Sequence, residues 1–186
     1  MQSKAWALRD AKTYRSTSIS EELVAGTIQN DKTRREMTEM LLPSRSRYLS
    51  ISTIDGKNKT REVVRIGSIY WVRVNNGRWE KNPAPESRGL HYVPKPISRT
   101  HRIVGISGSQ GHFLTLYEEV TYQTSNETAG MTRAQVATVR YWIDKSGLIH
   151  QQLYEVYDVD SNTINRRHIF YQYEPKDIKI VAPVIK

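Results

Sequence analysis

The stretch from Arg133 to Tyr173 leaves this chain little choice of fold. It contains three runs, AQVATVRYWID, LIHQQLYEVYD and TINRRHIFYQY, separated by KSG and VDSN. Val, Ile, Thr, Tyr, Phe and Trp suit a pleated, half-buried surface, and Asp-Lys-Ser-Gly and Asp-Val-Asp-Ser-Asn are turn chemistry. The pattern predicts a three-stranded antiparallel meander whose long strands need a large sheet to belong to. Whatever this protein does, a broad sheet has to be able to do it.

The rest of the chain extends the same pattern. Tyr14–Leu23 and Lys32–Leu42 read as a first strand pair, and Pro43, lacking an N–H for the ladder, ends the second strand. Arg47–Ile54 and Thr60–Ile66 flank Asp55-Gly56. Ile69–Val74 and Arg78–Lys81 flank Asn75-Asn76-Gly77, and a two-residue loop at Asn76-Gly77 predicts Val74 opposite Trp79 and Arg73 opposite Glu80. Asn82–Ser98 carries Pro83, Pro85, Pro94 and Pro96 and reads as a connection. Arg99–Ile106 and His112–Gln123 form a further hairpin, and Asp177–Ile185 is expected to add an edge strand. Helical spacing is confined to Ser3–Thr13, a short N-terminal helix. The expectation is one domain over residues 1–186, mainly β. It is a curved antiparallel sheet of ten or eleven strands that wraps its own apolar interior as an unclosed half-barrel.

Composition narrows the chemistry. The chain has 186 residues and no cysteine, which excludes disulfides, thiolate nucleophiles and cysteine-ligated zinc. No run approaches the roughly 18 apolar residues of a membrane-spanning helix. Lys and Arg number 28 against 19 Asp and Glu, a net charge of +9. That balance favours an anionic partner, such as nucleic acid, phospholipid headgroups or an acidic glycan, or is simply a well-solvated basic surface.

The order of elements resembles a known family. It carries IYWVRVNNGRW at 69–79, YWIDKSGLI at 141–149 and the closing YQYEPKDIKIVAP at 171–183. This resembles the bacterial lipoprotein-carrier superfamily, the LolA/LolB localisation factors and LppX/LprG-type lipoproteins, over roughly Tyr14 to Pro183. The resemblance implies a half-barrel holding acyl chains on its concave face, in the periplasm or cell envelope. It also implies an exported precursor, with a lipid anchor in many relatives and an envelope transporter or lipoprotein as partner. Two features depart from the family pattern. The soluble carrier has an arginine before the proline that opens its third strand, where this chain has Leu42, and proline-rich Asn82–Ser98 is unsuited to an apolar lid helix. The half-barrel and its apolar cavity carry over; lipoprotein shuttling does not.

For such a half-barrel the candidate ligand-cavity lining is Met37, Leu49, Ile51, Val64, Val72, Val74, Trp79, Phe113, Tyr141, Ile143, Leu153 and Phe170. Burying an acyl chain contributes about 0.8 kcal/mol per methylene, so a lipid or acyl-chain ligand is the expected partner. The plainer alternative is that these side chains fill a closed core in a structural or interaction protein. Arg35, Arg45, Arg47, Arg61 and Arg65, with Arg34 beside them, form a candidate rim for phosphate or carboxylate headgroups. The plainer reading of the rim is cross-strand pairing with Glu39 and Glu62.

Catalytic readings find no support. His91, His101, His112, His150 and His168 show no metal-ligand spacing, and GISGSQG at 105–111 precedes a strand where a phosphate loop needs a helix. The expectation is therefore no catalytic residue, no metal and no cofactor. A basic sheet with eleven tyrosines could bind single-stranded nucleic acid. That partner is disfavoured because the arginines are dispersed and no RNP-like aromatic pair sits on neighbouring strands.

Overall fold

The computed structural model describes residues 12–29, 32–41, 44–83, 96–109, 112–126 and 132–184. The helix expected over Ser3–Thr13 falls almost wholly outside them. Within them the chain is β: β1 (Thr13–Val24), β2 (Thr27–Ile28), β3 (Arg34–Leu41), β4 (Arg45–Ile54), β5 (Lys57–Ile66), β6 (Ile69–Val74), β7 (Glu80–Pro83), β8 (Pro96–Ser109), β9 (His112–Asn126), β10 (Thr132–Ile143), β11 (Ile149–Asp158) and β12 (Thr163–Tyr173). No helix among the described residues is long and apolar enough to cross a membrane.

The hydrogen-bonding order is β7-β6-β5-β4-β3-β1-β12-β11-β10-β9-β8, with the short β2 pairing β1 off this path. The order never returns to its start, so the twelve-stranded antiparallel sheet is not closed. The chain divides into two compact units. Unit 1 comprises residues 1–19, 30–89 and 170–186, and unit 2 comprises 20–29 and 90–169. Their charges differ sharply. Unit 1 has 20 Lys and Arg against 10 Asp and Glu, a net +10, whereas unit 2 has 8 against 9, a net −1.

In unit 1 the expected hairpin at 74–80 forms one residue away from its predicted register. Trp71 lies opposite Lys81 and Val72 opposite Glu80. The turn uses Asn75 and Asn76, both at positive φ (50° and 57°), with the Gly77 amide donating to the Val74 carbonyl at 2.9 Å. Two asparagines tolerate the left-handed conformation that this tight turn requires. A Cβ on Gly77 would stand 2.9 Å from that carbonyl, so glycine is needed by close approach. The slip matters because it moves Trp79 to the other side of the strand, as one-residue shifts must. Instead of facing Val74, its ring lies 4.7 Å from the Arg73 guanidinium carbon, a cation–π contact.

The C-terminal tail is a second correction. Among the described residues after Pro175 it forms no strand and instead lies over the sheet of unit 1. Ile180 is buried against Val64 and Trp71, with Leu41, Ile66, Ile69, Trp79 and Ile178 packed around them. Its backbone is held by Arg45, which donates to the Ile180 carbonyl at 3.3 Å. Burying one such isoleucine contributes about 1.5–3 kcal/mol, enough to fix the tail without ladder bonds.

In unit 2 the meander forms as the sequence implies. Two aspartates build its turns. Asp144 Oδ1 accepts the amides of Ser146 and Leu148 and the Ser146 hydroxyl. Asp158 Oδ1 accepts the amides of Asp160 and Ser161.

Candidate functional site

Alternation along each strand separates two faces of unit 1. One carries the rungs Arg35–Ile51–Thr60, Met37–Leu49–Glu62–Arg73, Glu39–Arg47–Val64–Trp71 and Leu41–Arg45–Ile66–Ile69. Charges on this face form a chain across five strands. Arg15 donates to Glu39 at 2.6 Å and to Asp177 at 2.7 Å. Arg47 approaches Glu39 at 3.9 Å and Glu62 at 2.8 Å. Arg73 closes the chain on the other oxygen of Glu62 at 2.6 Å. Glu39 and Glu62 are buried, and each carboxylate is flanked by two guanidiniums, which compensates their lost hydration.

Where the tail crosses this face it leaves an open pocket of about 200 Å³. Its walls are Val64, Trp79, Ile180, Val181 and Pro183, and its polar rim is Arg47, Glu62 and Lys179. Apolar walls beneath two cations suit one end of an amphiphile with an acidic head.

Unit 2 repeats the charge chain. Arg102 and Arg140 donate to the two oxygens of Glu118 at 2.8 and 2.7 Å, and Arg140 and Arg166 to those of Glu155 at 3.2 and 2.9 Å. The Arg140 hydrogen bond, opposed by burial and reinforced by Arg102, holds the Glu118 carboxyl below its ordinary range. Burial raises the Asp144 carboxyl, but hydrogen bonds from Ser146, His150 and the backbone outweigh it and bring the pKa to about 2. Its partner His150 stands 2.9 Å away. Among the described residues no three His, Asp or Glu side chains converge as metal ligands.

The candidate lining residues divide by face. In unit 1, Met37, Leu49, Ile51 and Val64 share the charged face and Trp79 joins them through Arg73, while Val72 and Val74 point to the opposite face. In unit 2, Phe113, Tyr141 and Ile143 share one face and Leu153 stands on the other, directly opposite Arg140. Phe170 lies in β12, two residues beyond His168 on the same side of that strand, and is exposed. Of the twelve, only Val64 and Ile143 are buried; the other ten are half-buried or exposed.

The candidate rim also divides. Arg35, Arg45 and Arg47 occupy the charged face of unit 1, and Arg61 and Arg65 the opposite one. Arg47 is engaged by Glu62, as the cross-strand reading of the rim supposed, and Arg45 by the tail carbonyl. Arg65 donates to the Gly67 carbonyl at 3.0 Å. Arg15, Arg73, Arg102, Arg140 and Arg166 did not stand out in the sequence. The only signal was Arg and Glu at like-parity positions, which becomes legible once register is known.

The tyrosines group in a way that the sequence pattern does not reveal. Tyr117 lies directly opposite Tyr141 on neighbouring strands, and Tyr154, one rung away on β11, is on the same face. The one-residue offsets that create this grouping depend on the length of the 127–131 connection, which alternation alone does not fix.

No family model and no curated protein matches the sequence. Solved structures do. The lipoprotein LppX of Mycobacterium tuberculosis aligns over 94% of this chain and 92% of its own, at 11% identity and a TM-score of 0.51. A DUF1329 family protein from Desulfovibrio piger covers 95% and 93% at 11% identity and a TM-score of 0.35. A LolA superfamily protein from Nitrosomonas europaea covers 94% and 89% at 7% identity and a TM-score of 0.33. The latter two scores are too low to bear on the fold. With its unclosed antiparallel sheet and its end-to-end alignment on LppX, the chain has a fold like that of LppX.

Proposed function

We propose that this protein binds a lipid or other apolar ligand on its open sheet, without catalysis, in the bacterial cell envelope. One observation carries the reading. A sheet of this size with a sealed interior would bury its large apolar side chains completely. Among the described residues only eight hydrophobic side chains are buried, and ten of the twelve candidate lining side chains keep solvent contact. The apolar surface left over is what a ligand would cover. The LppX-like fold agrees with this reading, and the pocket of Val64, Trp79 and Ile180 beneath Arg47 and Lys179 is the proposed seat for the ligand's polar end.

Uptake of a fluorescent fatty acid tests the proposal, alongside mass spectrometry of organic extracts of the purified protein. Leu49→Arg places a charge among Met37, Ile51 and the pocket wall and is expected to reduce uptake at least about tenfold, the equivalent of about 1.4 kcal/mol. Val72→Arg, on the opposite face, is expected to leave it unchanged. Extracts without lipid together with no dye uptake by the parent protein would overturn the proposal and favour a packed structural role.

A further inference from the structure

The face of unit 1 that carries no charge chain has a different character. Along β5 the residues of this face are Lys57, Lys59, Arg61, Val63 and Arg65, and all four cations are exposed. Opposite them on β4 stand Ile54, Ser52, Ser50 and Ser46, and on β6 Val74 faces Arg61 and Tyr70 faces Arg65. No carboxylate is among these partners, and among the described residues Lys57, Lys59 and Arg61 have no ion pair. The nearest acid by register, Glu36 opposite Ser50, is already held by Arg34 at 2.7 Å, by the Tyr48 hydroxyl and by Ser18. The same strand thus turns Glu62 into a neutralised face and sends its cations, unneutralised, to the other.

Apolar side chains accompany them. Ile54, opposite Lys57 at the tip of the β4–β5 hairpin, is 57% exposed, and Val74, opposite Arg61, is 40% exposed. The four cations span about 26 Å at the usual rise of a strand. We infer that this face docks the protein on an anionic lipid surface, with Lys57, Lys59, Arg61 and Arg65 against headgroup phosphates and Ile54 entering the interface. The pairing of cations with an exposed aliphatic tip fits a bilayer boundary. A nucleic-acid strand would instead call for stacking aromatics along the whole row of cations. Tyr70 stands opposite Arg65 and Tyr48, bonded to Glu36, opposite Val63, but the register partners of Lys57, Lys59 and Arg61 are Ile54, Ser52, Ser50 and Val74, none of them aromatic. Unit 1 supplies the long-range attraction through its +10 charge. The inference concerns the face opposite the proposed ligand site and does not depend on it.

Cosedimentation of the full chain with vesicles tests it, comparing phosphatidylcholine alone with phosphatidylcholine mixed with phosphatidylglycerol. The parent protein is expected to bind only the mixed vesicles, and more weakly as salt rises. The combined variant Lys57→Ser, Lys59→Ser, Arg61→Gln, Arg65→Gln is expected to lose at least about a hundredfold in affinity, since each cation near such a surface contributes several-fold. Lys145→Ser, an exposed cation of unit 2, is the matched control and is expected to bind as the parent does. Unchanged binding by a quadruple variant with the parent's circular dichroism and melting temperature would overturn the inference. So would equal loss in the Lys145 control. Efficient displacement by a single-stranded oligonucleotide, with Ile54→Ser binding vesicles as the parent does, would assign the face to nucleic acid instead.

Discussion

The two units solve the same problem and then diverge. Each threads alternating arginines and glutamates across five strands, Arg15-Glu39-Arg47-Glu62-Arg73 in unit 1 and Arg102-Glu118-Arg140-Glu155-Arg166 in unit 2. In unit 1 the chain-terminal segment covers part of that face, and surplus cations collect on the opposite one. In unit 2 charge is balanced, and apolar side chains stand in solvent where the edge strand meets the β8–β9 turn: Phe113 is 81% and Ile106 74% exposed. The basic character of the protein therefore belongs to one half, whereas exposed hydrophobic groups occur in both, Val184 and Val181 of the tail in unit 1 beside Phe113 and Ile106 in unit 2. A whole-chain charge figure averages away the contrast that matters.

The largest test of that comparison is to cut each charge chain at its centre. Glu62→Ala leaves the half-buried Arg47 and Arg73 facing each other across the emptied carboxylate position and is expected to cost about 3 kcal/mol in urea unfolding. Glu118→Ala is expected to cost less, about 2 kcal/mol, because Arg102 is largely in water and regains hydration when freed. Equal losses would show that partner exposure does not grade these contacts.

A second test uses acid. Asp144 is lowered from its ordinary value of 3.8 to about 2 in the folded protein, so its contribution is complete above the unfolded value and disappears as pH falls through about 2. Unfolding followed between pH 5 and 2 should show this loss. In Asp144→Asn it should be absent, with about 1–2 kcal/mol already missing at neutral pH because the turn amides lose their carboxylate. An unaltered acid limb in the variant would place the sensitivity in the charge chains instead.

The smallest expected effect is the most telling for unit 2. Replacing both Ile106 and Phe113 by serine should change stability by no more than about 0.5 kcal/mol, since neither is packed. A loss several times larger, read by thermal melting, would mean that these side chains are covered in solution.

Much of this arrangement was legible in the sequence, and the remainder was not for identifiable reasons. The strands, the meander and the aspartate turns follow from local alternation and turn chemistry, which need no knowledge of distant partners. The faces of Leu49 and Ile51 against Tyr48 and Ser50 were readable for the same reason. The Trp79 slip was not. Asn75-Asn76 and Asn76-Gly77 are both acceptable turn centres, and choosing the second reverses every side chain of β7. The edge strand expected over Asp177–Ile185 is not seen among the described residues because an apolar residue such as Ile180 can be buried by lying across a sheet as well as by joining its edge. The charge chains span partners up to 24 residues apart, so no window along the sequence contains them.

One consequence follows from the outermost strand. β8 runs for fourteen residues with, among the described residues, no neighbour beyond it, and several of its side chains are apolar. Such a strand invites identical molecules to stack edge to edge. Its pairing is broken at Pro96/Ser98 and again at Ile103/Gly105, leaving no long straight rail on which another copy could align. The irregularity at Val104 thus interrupts the edge, and smoothing it by deleting that residue is expected to favour edge-to-edge association of copies.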